Sequence, residues 1–351
     1  MSGADEFGEI ARLFRPLTGG AAGAFELMDD AAAIPARPGF DLIVTKDAVV
    51  EGVHAPLGEA PDLVARKLVR VNLSDLAAKA AEPFAAFLAV AWPRDFTAEQ
   101  RTAFATGLGL DLAAYGVALM GGDTVSTPGP LTASLTLMGW TPQGRMVRRA
   151  GARPGDLVQV SGVIGDGWLG LEAVRGQVTD PDGYLARRYR LPTPRLDLRD
   201  ALRAQASAAA DVSDGLVADA GHLAAASGVH IRLHLDRTPL SPAAQDWLAG
   251  QPDRAAALVR LATGGDDYEV VCPPAGPRLH GHRRGAGRGG DPGPGRRPGR
   301  RCGTGGLAPS LGWNQLGRRG LRLKRDRAPA GTCPHDREPR RSRPGDPAAV
   351  G

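Results

Sequence analysis

The chain has 351 residues, of which 42% are hydrophobic and 23% are charged, and its formal net charge is +5. This length is enough for two domains with buried cores, and no run of eighteen or more apolar residues predicts a membrane-spanning helix. The three widely spaced cysteines exclude a disulfide framework, and the first residues lack the layout of a secretion signal, so we expect a cytoplasmic protein.

The net charge averages two unlike parts of the chain. Residues 1–272 carry 25 basic and 33 acidic side chains, whereas residues 273–351 carry 18 basic and 5 acidic ones. Glycine, proline and arginine supply 47 of the 79 residues of this tail, a composition typical of segments that cannot bury a core. The tail is interpreted as the product of a G/C-rich gene read out of frame, as a disordered extension, or as a basic nucleic-acid-binding arm. Because aromatic residues are nearly absent from it, we do not expect nucleic acid as the partner.

Residues 1–272 alternate predicted strands and helices. β-branched residues at 41–50 predict a strand, and apolar residues at helical spacing in 61–83 predict a helix. The next predicted elements are a strand at 84–92, a helix at 97–116 with a capping box at Thr97, a strand at 117–123 that ends in a turn, and a strand at 131–140.

A turn-rich segment at 141–155 indicates a domain boundary. After it the pattern restarts with a strand at 157–162, a helix at 165–174, a strand and helix around 210–223, and a strand that ends at Cys272. We therefore predict an α+β fold in two lobes, with domains at 1–145 and 146–272 and the tail at 273–351.

Carboxylates recur in short turns that follow apolar runs. Each alone is explained by helix capping or turn formation, but carboxylates gathered at one end of a sheet repel each other unless a cation lies between them. They are Asp29–Asp30, Asp47, Asp75, Asp123, Asp211, Asp214 and Asp266–Asp267. Magnesium prefers such oxygen ligands together with substrate phosphates. The sequence has neither a P-loop nor a kinase signature, so a nucleotide would bind on another scaffold.

The ordered motifs "DDAAAI", "TKDAVVEGVH", "NLSDLAAKAAEP", "GGDT", "RRAGARPGD", "VSGVIGD", "DVSDGL" and "TGGDDYE" resemble the thiamine-monophosphate kinase family over residues 5–272. This family belongs to the ATP-binding superfamily of aminoimidazole ribonucleotide synthetase and selenophosphate synthetase. The resemblance implies a two-lobed ATP-binding fold whose N-terminal sheet-and-helix lobe forms a homodimer through its sheet, with a C-terminal α/β lobe. It also implies direct, magnesium-assisted transfer of the γ-phosphoryl group of ATP to thiamine monophosphate, giving thiamine diphosphate.

The resemblance also assigns residues. The implied ligands of several magnesium ions are Asp30, Thr45, Asp47, Asp75, Asp123, Asp211 and Asp214. The implied ATP contacts are Tyr115, Gly122, Asp123, Arg149 and Ser213, and the implied thiamine phosphate contacts are His54 and Asp266. No residue is assigned as a general base, because the acceptor phosphate is already ionised near neutral pH.

Several alternatives stay open. His54 on its own is typical of a hydrogen-bonded loop histidine, and Lys46 beside Asp47 either compensates charge or displaces an ion. Lys79–Ala80 stands where the family has an apolar residue and glycine. For the whole chain the alternatives are a related superfamily enzyme that activates an amide oxygen with ATP, an inactive truncated product, and a nucleic-acid-binding protein acting through its tail.

Overall fold

The computed structural model describes residues 3–273, 313–315 and 324–325. Its N-terminal lobe is a four-stranded sheet with helices packed on one face. The strands are β1 (Phe40–Val50), β2 (Glu82–Pro93), β3 (Ala118–Thr127) and β4 (Thr132–Pro142). The helices are α1 (Gly3–Leu13), α2 (Pro61–Ala78) and α3 (Ala98–Ala114).

The sheet has the order β1-β4-β2-β3, in which only the β2–β3 pair is parallel. One row of paired residues crosses it from Asp47 through Leu135 and Leu88 to Gly122. Neighbouring strands lie about 4.8 Å apart, so the backbones at the two ends of this row are about 14 Å apart. The strand predicted at 117–123 is found, but the turn predicted at its end is wrong, because parallel pairing with β2 continues past Asp123 and carries β3 to Thr127.

Helix α2 is the centre of the molecule. Leu68, Leu73 and Leu76 are completely buried in the core that α2 forms with the sheet and α3. The predicted capping box is confirmed, since the Thr97 hydroxyl accepts from the Gln100 N–H and the Gln100 side chain accepts from the Thr97 N–H.

The C-terminal lobe has a smaller sheet of order β6-β8-β5-β9 and a two-stranded ribbon of β7 and β10. Its strands are β5 (Gln159–Ser161), β6 (Ala210–Asp211), β7 (Val229–His230), β8 (Val270–Cys272), β9 (Trp313–Gln315) and β10 (Lys324–Arg325). Its helices are α4 (Asp166–Val174), α5 (Tyr184–Arg190), α6 (Arg199–Gln205), α7 (Leu216–Ser227), α8 (Pro242–Ala249) and α9 (Arg254–Thr263).

The mixed α+β architecture in two lobes agrees with the sequence prediction. Apart from the backbone pairing of β9 and β10, the predictions made for the tail lie outside the described residues. Among the helices that are described, none has both the length and the apolar character needed to cross a membrane.

One set of contacts between the two lobes lies along the C-terminal half of α2. The Ser74 hydroxyl donates to Asp211 Oδ2 (3.0 Å), and Lys79 Nζ donates to the carbonyl oxygen of Ala209 (2.9 Å). From the other lobe, Arg203 Nε donates to the carbonyl oxygen of Ala80 (2.9 Å). These contacts hold the β6 end of the second sheet against the last turn of α2.

Candidate active site

Four of the predicted ligand residues converge where the lobes meet. Thr45 and Asp47 alternate with exposed residues along β1, so both face α2. The Thr45 hydroxyl donates to the Asp75 carboxylate on α2, and Asp211 at the end of β6 reaches the same helix through Ser74. We call Thr45, Asp47, Asp75 and Asp211 the central cluster.

The central cluster accumulates negative charge away from water. Burial, and then the charge of Asp75, raise the pKa of Asp47 to about 6. The same two causes, in the same order, raise the pKa of Asp211 to about 7. A divalent cation between these groups would relieve the repulsion, and an all-oxygen donor set of carboxylates and one hydroxyl suits magnesium. The residues therefore fit a magnesium site.

A second group lies at the start of α7. Ligand atoms of Asp214, Asp219 and His222 lie within 4.8 Å of one another, and the Asp214 N–H donates to Asp219 Oδ2 (3.1 Å). Burial is the main cause that raises the pKa of Asp219 to about 6. The charge of Asp219 in turn contributes to raising the pKa of Asp211. The two groups are thus electrostatically linked. Sequence reasoning missed Asp219, although its place on the buried face of α7 was a usable signal.

His54 is held by its backbone and by its ring. Its Nδ1 accepts from the Val50 N–H (3.1 Å), which agrees with the interpretation as a hydrogen-bonded loop histidine. Its carbonyl oxygen accepts from Lys67 Nζ (3.1 Å) and from the Tyr189 hydroxyl (3.0 Å). The loop that carries His54 is therefore fixed from both lobes.

Asp266 lies close to this loop. Its Oδ1 is 3.6 Å from Lys67 Nζ and accepts from the Tyr268 hydroxyl (3.0 Å). Its N–H donates to the carbonyl oxygen of Ser213 (2.9 Å), which joins the predicted substrate side to the "DVSDG" turn. Sequence reasoning missed Lys67, although a lysine on the apolar side of α2, one turn after Val64, was a usable signal.

Asp30, Gly122 and Asp123 lie elsewhere. They line a cavity of about 340 Å³ beside the edge strand β3. Because successive strand residues face opposite sides of a sheet, Asp123 faces away from the side occupied by Asp47. Magnesium–oxygen distances are about 2.1 Å, so one ion cannot bind both Asp47 and Asp123 in this conformation. The structure therefore does not bring all the predicted ligands to one point.

The remaining predicted ATP contacts are also separated. Tyr115 ends α3 with its ring 5.8 Å from the Arg70 guanidinium carbon, beside the ion pair of Arg70 and Asp111. Arg149 lies by the central cluster, where its charge contributes to lowering the pKa of Lys79. Of these two residues, the structure places only Arg149 near the central cluster.

Two family models match this chain, one in each lobe. Residues 28–141 match the family model "AIR synthase related protein, N-terminal domain", and residues 153–279 match "AIR synthase related protein, C-terminal domain". The thiamine-monophosphate kinase of Caulobacter vibrioides is 59% identical over 267 residues, which cover 76% of each chain. The enzyme of the same name from Escherichia coli K12 is 37% identical, covering 69% of this chain and 74% of that protein.

Solved structures give the same relationship. A thiamine-monophosphate kinase structure from Stenotrophomonas maltophilia K279a has a TM-score of 0.64 at 37% identity and covers 71% of this chain and 79% of that chain. The structure of AaThiL complexed with AMPPCP and TMP has a TM-score of 0.64 at 31% identity and covers 73% of this chain and 86% of that chain.

Proposed function

The chain belongs to the thiamine-monophosphate kinase family, and from that premise we propose that it transfers the γ-phosphoryl group of ATP directly to thiamine monophosphate, giving thiamine diphosphate. The observation that carries this proposal is the convergence of the central cluster from both lobes. The curated relatives named for this activity match across three quarters of their length, and AaThiL was solved with AMPPCP and TMP.

The triphosphate of ATP and the phosphate of thiamine monophosphate are both anionic and must meet in this reaction, so neutralisation of charge and positioning are the main requirements. We infer that the central cluster and Asp214 hold magnesium, which when bound supplies positive charge beside the phosphates. Arg149 adds a forked donor suited to phosphate oxygens. The acceptor phosphate is already ionised at neutral pH, so the chain needs no residue to remove a proton from it.

The acceptor and the nucleotide have separate supports. We infer that His54 and Asp266 contact thiamine monophosphate, because Lys67 connects both residues to α2. For ATP we infer contacts with Tyr115, Gly122, Asp123, Arg149 and Ser213.

Asp30 and Asp123 would hold an additional magnesium ion, separate from that of the central cluster. Their place on the wall of the β3 cavity supports this separation. We also propose that the protein is cytoplasmic, because the reaction needs ATP and the cytoplasm supplies it.

The direct test is a product assay with the full chain. With ATP and magnesium, thiamine monophosphate should be converted to thiamine diphosphate, and EDTA should stop the conversion. Turnover of formylglycinamidine ribonucleotide in place of thiamine monophosphate would assign the chain to another superfamily reaction. Absence of turnover, together with no rise in melting temperature on adding magnesium and ATP, would identify an inactive product.

We also propose a homodimer formed through the outer face of the N-terminal sheet. Leu42 and Val44 on β1 are 43% and 52% exposed on the side opposite α2, and Phe84 and Trp140 stack on the neighbouring strands (4.9 Å between ring centroids). Exposed apolar patches of this kind are typical of interfaces. Light scattering should give twice the chain mass for the wild type and the chain mass for Val44→Glu, and a monomeric wild type would contradict the proposal.

A further inference from the structure

Lys79 lies beside the central cluster and was assigned no role by sequence. It follows α2 directly, four residues after Asp75, so the two side chains share one face of the helix. Its Nζ donates to the carbonyl oxygen of Ala209 (2.9 Å), two residues before Asp211. A lysine ammonium from the first lobe is thus fixed at the residue that precedes β6, the strand that carries Asp211.

The charges that face Lys79 come from both lobes. Burial is the main cause that lowers the pKa of Lys79, while Asp211 and Asp75 act to raise it and Arg149 acts to lower it further. The Lys79 ammonium therefore lies within the electrostatic field of the same carboxylates that the proposed magnesium site uses.

We propose that Lys79 is an internal counter-ion of the central cluster, offsetting the charge of Asp75 and Asp211 in the metal-free protein and weakening magnesium binding there. The proposal rests on the magnesium site of the proposed function. A bound ion must be accommodated next to this fixed positive charge, so binding is weaker than the carboxylates alone would give.

Lys46 is the matched control. It is next to Asp47 in sequence and carries the same charge, but it is exposed on the opposite side of β1. This is the face of the proposed dimer, but the sheet lies between the Lys46 ammonium and the cluster in either state, so we expect it to have little effect on the cluster. Of the two lysines near the predicted ligands, the geometry points to Lys79 as the compensating charge.

The first measurement is the melting temperature of Lys79→Met, Lys46→Met and the wild type as magnesium is added after EDTA treatment. For Lys79→Met we expect a lower melting temperature in EDTA and a half-saturating magnesium concentration lower by about tenfold or more, equivalent to about 1.4 kcal/mol. For Lys46→Met we expect a change of less than about twofold, because the sheet separates this charge from the cluster. An unchanged or higher half-saturating concentration in Lys79→Met would overturn the proposal.

The second measurement separates this idea from the magnesium site itself. In a double-mutant cycle in EDTA, Lys79→Met should destabilise the wild type but not the Asp211→Asn variant. If magnesium did not change the melting temperature of the wild type, the proposed metal site would be refuted. The double-mutant cycle would still decide whether Lys79 compensates the charge of Asp211. Additive effects would overturn the counter-ion role. If Lys79→Met did not fold, the double variant Lys79→Met/Asp211→Asn should still fold, because it lacks both charges. If neither variant folded, the counter-ion role would also be overturned.

Discussion

Replacement of Asp211 by asparagine should separate stability from function. Asp211 is only 4% exposed, and its Oδ2 accepts from the Ser74 hydroxyl. Asparagine has nearly the same size and keeps an oxygen that can accept from Ser74. The substitution therefore removes mainly the charge.

The size of the effect follows from the pKa. Burial, with the nearby charge of Asp75, raises the pKa of Asp211 from an ordinary value of 3.8 to about 7, a difference equivalent to about 4 kcal/mol. A raised carboxyl pKa means that the folded protein binds the proton more tightly than the unfolded chain does. The metal-free protein should therefore lose stability as the pH rises from about 4 to about 7, and the full loss is present above pH 7.

The assay is thermal or urea unfolding in EDTA at pH 8 and pH 4. At pH 8, Asp211→Asn should have a higher free energy of unfolding than the wild type, by up to about 4 kcal/mol, which corresponds to several degrees in melting temperature. At pH 4 the two should be equally stable, and at either pH the variant should lack kinase activity. An Asp211→Asn protein no more stable than the wild type at pH 8 would refute the reasoning.

Three further substitutions probe other parts of the molecule. Asp214→Asn should abolish magnesium-dependent turnover with little change in the melting temperature in EDTA, and retained turnover would show that this carboxylate serves the turn alone. Lys67→Met should raise the KM for thiamine monophosphate by about tenfold or more and leave the KM for ATP unchanged, because the His54 loop loses a hydrogen-bond donor. Arg66→Met on the same helix is the control. Equal effects of the two substitutions on the KM for thiamine monophosphate would refute a positioning role for Lys67. Thr97→Ala removes the capping box of α3 and should reduce stability by about 1 kcal/mol without affecting kinetics, as circular dichroism melts and the product assay would show.

The sequence predicted local features better than spatial grouping. The capping box of α3 and the β-branched residues of β1 are local signals, and both elements appear in the structure as predicted. That Asp47 and Asp75 are close while Asp123 lies across the sheet depends on strand order and register, which single motifs do not contain. Asp219 and Lys67 were missed because the motifs point to carboxylates in turns, whereas these two side chains lie inside helices, on the buried faces.

Helix α2 has a consequence for the spacing of the whole site. Lys67 supports the loop of His54, the proposed acceptor side, and Ser74 holds Asp211 seven residues later on nearly the same stripe of the helix. At 1.5 Å per residue these two functions are separated by about 10 Å along a rigid axis. Inserting one residue between them would turn the second half of α2 by about 100° relative to the first. The spacing between the His54 loop and Asp211, the two sides of the proposed site, is thus set by the length of one helix.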